Sequence, residues 1–551
     1  MADDARLAEI VRGIWSRDPT TWTAATAHHP SIRNRLGWLD APATMRHRAG
    51  ELKEFAREAR QAGFTHALLL GMGGSSLAPD VLRLTFGVKP GFLDLAVLDS
   101  TDPYIVLQFQ RSLPAQHTLY VVSTKSGTTT ETLAFLRFFY DHTRRAAGDR
   151  AGRQFIAITD PGTPLEQTAR DLGFRRTFLN PPDIGGRYSA LSYFGLVAAA
   201  LLGVDLDTLL DRAEAAMRDC GTDVPLEHHP GARLGAALAR HAATGRDKVT
   251  LVCPEPFGSF GYWVEQLLAE STGKDGSGLV PVEGEPLGPP GVYGQDRVFV
   301  VVGDPQRVVT PADGKRALEA LEAAGHPVIH LPAREPADLG YQFYVWEFAT
   351  AVAGACMRLN PFDEPNVQES KDNTTRVLAE FQATGHLPAV PEIVAGNGPA
   401  QPLHDLLRRV QPGDYVALLA YVPRTAVAER ELTGWRTALR DHLKVATTLG
   451  YGPRYLHSTG QLHKGGPDNG VFVQLVSDDP EDAPIPGLPY TFATLKQAQA
   501  IGDYQALAGR GRRIVRIRLR GDLEPAIRGL AVETVPLFPW WEAGHQRPRG
   551  P

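Results

Sequence analysis

Cysteine is nearly absent from this chain: three occur in 551 residues, Cys220, Cys253 and Cys356, at wide spacing. That excludes a disulfide framework and any CxxC metal knuckle, and it fits a reducing cytoplasm. Long apolar runs are missing too, the longest, around Tyr193–Leu202, being too short to span a bilayer. The opening MADDARLAEI lacks the basic-then-apolar order of a secretion signal. Neither sign of charge is in large excess, the formal net charge being −5, so no global field draws the chain to nucleic acid or anionic lipid. What remains is an ordinary globular mix, 43% hydrophobic and 22% charged, long enough for two or three packed units.

Short aliphatic or β-branched runs alternate with segments of helical period, the pattern of parallel βαβ sheets. Strands are predicted at 66–70, 93–98, 118–122, 155–159 and 176–179, with helices at 76–86, 129–144 and 165–172. A second series follows residue 225, with strands 249–253, 298–302 and 328–331 and helices 261–271, 313–324, 341–359 and 367–381. The stretch 385–402 is rich in Pro and Gly without a period and reads as a linker or surface excursion. A third, smaller alternation has strands 415–421, 471–476 and 514–519 and helices 425–443 and 494–506. The basic run RRIVRIRLR reads as a solvated or subunit-facing strand rather than a nucleic-acid surface. The expected class is α/β, divided at 1–225, 226–400 and 401–551.

Chemistry concentrates at strand ends. In LLLGMGGSSLAPDVL, Gly71, Gly73 and Gly74 separate an apolar strand from a helix opening at Ser75–Ser76, whose free N–H groups attract an anion. The frame GxGGSS is not the GxGxxG of a dinucleotide site, and alone a capped βα turn explains it equally well. In LYVVSTKSGTTTETLAFL, Thr124, Ser126 and Thr129 crowd around Lys125, which suits a doubly charged phosphate monoester; the P-loop frame is absent. NPPDIGGRYSALS sets Gly185 and Gly186 before Arg187, which can hold an oxyanion, although most arginines are solvated surface groups. WVEQLLAESTGKDG carries Glu265 and Glu270 on an apolar helix, where a carboxylate can be a base of raised pKa or simply an exposed side chain. NPFDEPNVQESKDNT places Lys371 about two turns into a helix beginning near Pro365.

Taken in order, GMGGSSLAP, STKSGTTTET, GGRYSALS, EQLLAESTGK and NPFDEPNVQESK resemble the glucose-6-phosphate isomerase (phosphoglucose isomerase) family. The likeness is greatest to the isomerase half of bacterial transaldolase/isomerase fusions, and no stretch before it reads as a transaldolase barrel. The resemblance implies two sugar-isomerase (SIS) α/β/α sandwich domains with mostly parallel sheets, followed by a C-terminal α/β segment. It implies an aldose–ketose interconversion of glucose 6-phosphate and fructose 6-phosphate through a cis-enediol. Gly74, Ser75, Thr124, Lys125, Ser126 and Thr129 would then bind substrate, chiefly its phosphate. Glu270 falls at the position of the base, Gln266 at a substrate contact, Arg187 with Gly186 at the enediolate, and Lys371 at the lysine assigned to ring opening.

The histidine departs from the family pattern. Many members carry HSxGQ downstream of the glutamate; here that stretch is GVYGQ, with Gly291 in the place of the histidine. The same string recurs as HSTGQ at His457–Gln461, which makes His457 the candidate for ring opening and His463 a second one. For either, the plain alternative is a surface or core histidine bound to backbone. A carboxylate base, a fixed cation and an acid–base pair suffice for the chemistry, so no metal or redox cofactor is expected. The expected partner is a small phosphosugar, with no nucleic acid and no membrane. A homodimer, common in the family with residues shared across the subunit contact, and a functional link to a transaldolase follow from the resemblance. Two alternatives stay open: a non-catalytic sugar-phosphate-binding SIS regulator, which the missing upstream histidine favours, and an isomerase of another 6-phosphosugar such as mannose 6-phosphate.

Overall fold

The computed structural model describes residues 2–308, 314–395 and 400–534. Its central strands are short and buried along most of their length, which is why they read in sequence as continuous apolar runs rather than alternations. The first sheet comprises β1 (His66–Gly71), β2 (Asp94–Leu98), β3 (Thr118–Ser123), β4 (Phe155–Thr159) and β5 (Arg176–Leu179), in the order β2-β1-β3-β4-β5. The second comprises β6 (Lys248–Val252), β7 (Val280–Val282), β8 (Arg297–Val302) and β9 (Val328–Leu331), in the order β7-β6-β8-β9. The third comprises β10 (Ile393–Val394), β11 (Tyr415–Tyr421), β12 (Ala446–Tyr451), β13 (Gly470–Ser477) and β14 (Arg513–Leu519), in the order β10-β14-β13-β11-β12. All pairings within the three sheets are parallel. The class is therefore α/β, as expected.

Each sheet repeats one wiring rule: after its first long strand (β1, β6 or β11) the chain adds a strand on one side and then crosses to the other. A crevice opens at that switch, outside the carboxyl ends of the strands, where open α/β sheets bind ligands. In the first sheet the switch lies between β1 and β3, so the loops beginning at Met72 and Thr124 meet there.

Several expectations need correction. The third sheet has five strands to the second sheet's four, because its edge strand β10 comes from before residue 401. The 385–402 stretch is not wholly an excursion: β10 pairs with β14, and a helix begins at Gln401, while residues 396–399 lie outside the described residues. Residue 313 of the predicted helix 313–324 also lies outside them. The run RRIVRIRLR is only partly solvated: β14, between β10 and β13, is buried at Arg516, Ile517 and Leu519 and half-buried elsewhere. Within it Arg516 is buried against Gln474 and Glu392, Arg513 pairs with Asp414, and Arg518 with Glu392 and Asp478. The helix bearing Lys371 spans Val367–Thr384, which puts the lysine just over one turn in.

The apolar stretch Tyr193–Leu202 is a core helix, buried along its whole length and begun by the Ser192 hydroxyl accepting from the Phe194 N–H. Among the described residues no helix is long and apolar enough to cross a membrane. The third unit docks on the first through Phe492, which stacks on Phe135 and meets Phe138 edge-on, both on the helix Thr130–Ala147. Buried charges pin the same seam: Lys496 to Asp102 at 2.9 Å and Arg454 to Asp99 at 2.9 Å. This docking carries the turn Arg454–His457 to the crevice of the first sheet.

Candidate active site

A cleft of about 550 Å³ occupies that crevice. Of the residues singled out as catalytic or substrate-binding, Gly74, Ser75, Thr124, Lys125, Ser126, Thr129, Gly186, Arg187, Gln266, Glu270, Lys371 and His457 line it, and the second histidine candidate, His463, does not. Two close approaches build its floor. A Cβ on Gly74 would stand 2.0 Å from the Gly186 carbonyl oxygen, and one on Gly73 (φ +54°) would stand 3.0 Å from the carbonyl of His457. The glycines of the GxGG turn thus let protein segments converge; the Arg187 turn packs on Gly74 and the third unit packs on Gly73. Arg187 itself sits on a single 3₁₀ turn, Gly186–Tyr188, ahead of the apolar helix that starts at Tyr193.

At one end of the cleft, hydroxyls form a donor-rich rim. Thr124 Oγ1 and Thr129 Oγ1 lie 2.8 Å apart, and Ser126 Oγ and Thr128 Oγ1 2.9 Å. The chain turns between them at Gly127, whose φ of +69° favours glycine. Lys125 pairs with Asp160 and donates to the Pro182 carbonyl at 3.0 Å. Burial pulls the Lys125 ammonium below its ordinary pKa against the opposing pull of Asp160, and burial likewise raises Asp160. Asp160, not singled out in the sequence, is a counter-ion that an incoming dianion would have to compete with.

Glu270, also lining the cleft, occupies the last turn of the helix Phe260–Thr272 and is 7% exposed. Gln266, one turn earlier, donates to Glu270 at 3.3 Å and to the His457 carbonyl at 2.9 Å. Arg187 Nη1 approaches Glu270 at 3.4 Å and Glu364 at 2.9 Å. Burial is the largest influence on Glu270 and raises its pKa; Arg187 opposes this, Glu364 adds to it, and the carboxyl ends at about 7. Lys274 braces the loop that holds Arg187, donating to the Asn360 carbonyl and pairing with Asp363 at 2.7 Å. Burial pulls the Lys274 ammonium down to about 8. Glu265, on the same helix, faces a separate small cavity shared with Glu283 and accepts from Ser458 Oγ at 3.0 Å.

His457 Nε2 lies 2.9 Å from Glu131 Oε1, which also accepts from Gln499 Nε2 at 2.7 Å. Burial is the largest single influence on Glu131 and pushes it upward, but the adjacent His457 and its hydrogen bond hold the carboxyl below the usual range. A buried carboxylate fixing an imidazole is an orienting arrangement for acid–base work. The sequence does contain the signal, the Glu of STKSGTTTET, but at a helix start that residue reads as a favourable first-turn charge.

The phosphoglucose isomerase family model matches residues 43–309. The glucose-6-phosphate isomerase of Rubrobacter xylanophilus is 30% identical over 380 residues, covering 61% of this chain and 87% of that protein. This chain belongs to the phosphoglucose isomerase family. The glucose-6-phosphate isomerase of Thermus thermophilus is likewise 30% identical, over 397 residues that cover 62% of this chain and 90% of that one. Among solved structures, a hypothetical protein from Thermus thermophilus aligns with TM-score 0.57 at 27% identity over 68% of this chain and 94% of its own. A glucose-6-phosphate isomerase from Chlamydia trachomatis shares the fold with TM-score 0.51 at 20% identity, covering 68% and 78% of the two chains.

For this phosphoglucose isomerase family member, the two candidate histidines part company. His463 is 3% exposed and lies outside the cleft, its ring 5.0 Å from Phe472 and 5.9 Å from Tyr455. Burial pushes it well below its ordinary pKa, so it is a neutral core side chain. Gly291, where many family members place their histidine, sits on the 3₁₀ turn Pro290–Val292 with open space around a Cβ, and does not line the cleft. Lys371 stands exposed at the cleft mouth.

Proposed function

We propose that this chain interconverts D-glucose 6-phosphate and D-fructose 6-phosphate. The observation that carries the reading is the pairing, in one cleft, of a hydroxyl-and-lysine rim with a buried carboxylate of raised pKa beside a fixed guanidinium. Thr124, Lys125, Ser126, Thr129 and Ser75 receive the phosphate, as donors and a cation suit a dianion. Glu270 removes the proton at C2 and returns it at C1; a base titrating near 7 is ionised enough to accept a proton and acidic enough to give it back. Arg187 faces the enediolate oxygens, and Gln266 holds Glu270 against the sugar. His457, oriented by Glu131, and Lys371 serve ring opening.

A homodimer, a cytoplasmic location and a link to a transaldolase belong to this proposal on the strength of the family resemblance. The test is direct. Purified protein is given fructose 6-phosphate in deuterated water, and glucose 6-phosphate formation is followed together with deuterium at C2. Turnover with label entering at C2 is expected; binding without turnover would point to a regulator, and preferential turnover of mannose 6-phosphate to a different sugar.

A further inference from the structure

Arg187 spends every donor it has on the protein itself. A guanidinium carries five N–H donors, and this one makes five hydrogen bonds. Nε donates to Ser271 Oγ at 2.8 Å; Nη1 donates to Glu364 at 2.9 Å and Glu270 at 3.4 Å. Nη2 donates to the carbonyls of Pro361 at 2.8 Å and Asp363 at 2.9 Å. An enediolate oxygen therefore finds no free donor until one contact is given up. Four acceptors are fixed in place: two backbone carbonyls, the buried Ser271 hydroxyl and the buried base itself. Glu364 differs, because its side chain is 45% exposed and it lines the cleft just ahead of the helix Val367–Thr384.

We infer that Glu364 is a substrate-displaced positioning residue, whose carboxylate occupies on Arg187 the donor that the enediolate takes during turnover. The inference rests on the isomerase reading above. Displacement exchanges one anionic acceptor for another on a preorganised guanidinium, so Arg187 is never left as an unpaired buried charge. The groups facing Glu270 are Arg187 from the Gly186–Tyr188 turn, Glu364 from the loop ahead of Val367, His457 from the third unit and Lys274 beyond its own helix, with Lys371 at the cleft mouth. Glu364 is the carboxylate among them, and it acts with burial to raise the base.

The test compares wild type with Glu364→Gln, Glu364→Ala and Glu364→Asp, measuring kcat and KM separately across pH. Removing the competing charge should raise kcat for fructose 6-phosphate by roughly three- to tenfold with KM largely kept, since a charge-assisted contact no longer has to be broken as the enediolate forms. The acid limb of kcat/KM should move down by about one pH unit in the Gln and Ala variants, because a neighbouring negative charge no longer opposes ionisation of Glu270. Glu364→Asp should restore the wild-type limb. A fall in kcat with KM and the limb unchanged would mean that Glu364 only holds Arg187 in place, and coincident profiles would mean it does nothing; either overturns the inference. A wild-type protein without isomerisation would instead overturn the isomerase reading.

Discussion

A carboxylate touching a guanidinium ordinarily ionises easily, yet at Glu270 burial outweighs Arg187 and brings the acid to about 7. The sign follows: the proposed base Glu270 would work ionised, so kcat/KM should rise with pH through about 7 and flatten above it, and a limb near the ordinary glutamate value would show that the carboxyl is solvated during turnover. Glu270→Gln should lower kcat by about 10²–10⁴ with little change in KM, and near-normal turnover in a coupled assay would remove it from the mechanism. Two glycines give a structural contrast. Gly74→Ala forces a Cβ against backbone 2.0 Å away, whereas a Cβ on Gly186 meets nothing within 4 Å. Thermal unfolding temperature should therefore fall steeply for the first and stay near wild type for the second. Glu270 and Arg187 stood out locally, at an apolar helix end and after a glycine pair, but only the resemblance carried by the order of the motifs gave them roles. Glu131 and Glu364 did not stand out, since their partners lie 326 and 177 residues away in the chain and no local period encodes such a meeting.

Strands such as β1 and β11 were legible as elements because burial on both faces leaves an unbroken apolar run. The missed ones lacked it. In β12, ATTLGY, the threonines and glycine dilute the run and the last half is only partly buried; β7 and β10 have three and two residues. The consequence for the site is concrete, because β12 leads straight into the 3₁₀ turn Arg454–His457. That turn and the short helix Gly460–Gly465 after it explain why one HSTGQLH string supplies both a cleft histidine and a core histidine: the chain changes direction between them, so His457 meets the first unit while His463 packs among aromatic rings. His457→Ala should slow turnover of cyclic substrate by roughly ten- to a hundredfold, the effect of losing one acid–base partner in a charged hydrogen bond. His463→Ala should leave kcat near wild type and lower unfolding stability by about 2–4 kcal/mol, as truncation of a buried ring does. Steady-state kinetics beside denaturant titration separates the two, and a catalytic defect in His463→Ala at full folding would reverse the assignment.

At the scale of the molecule, three sheets share one wiring rule, but the cleft at the first sheet's switch gathers the proposed acid–base residues, and the third unit adds His457 to it. Three alternations and the order of the motifs could be read from the chain. That the third unit folds back on the first could not, because the contacts that decide it, Lys496 with Asp102 and Arg454 with Asp99, join residues hundreds of positions apart. The docking has a functional corollary. The proposed acid–base residues Glu270, Arg187, Lys371 and His457 line one cleft within one chain, which predicts that turnover needs no group from a second subunit, even if the chain pairs. Activity should then be independent of association. Specific activity per chain, measured from micromolar to low nanomolar protein alongside the sedimentation coefficient, is expected to stay constant through any dissociation seen. A decline that tracks dissociation would mean that a neighbouring copy contributes to the cleft, and that the third unit alone does not complete it.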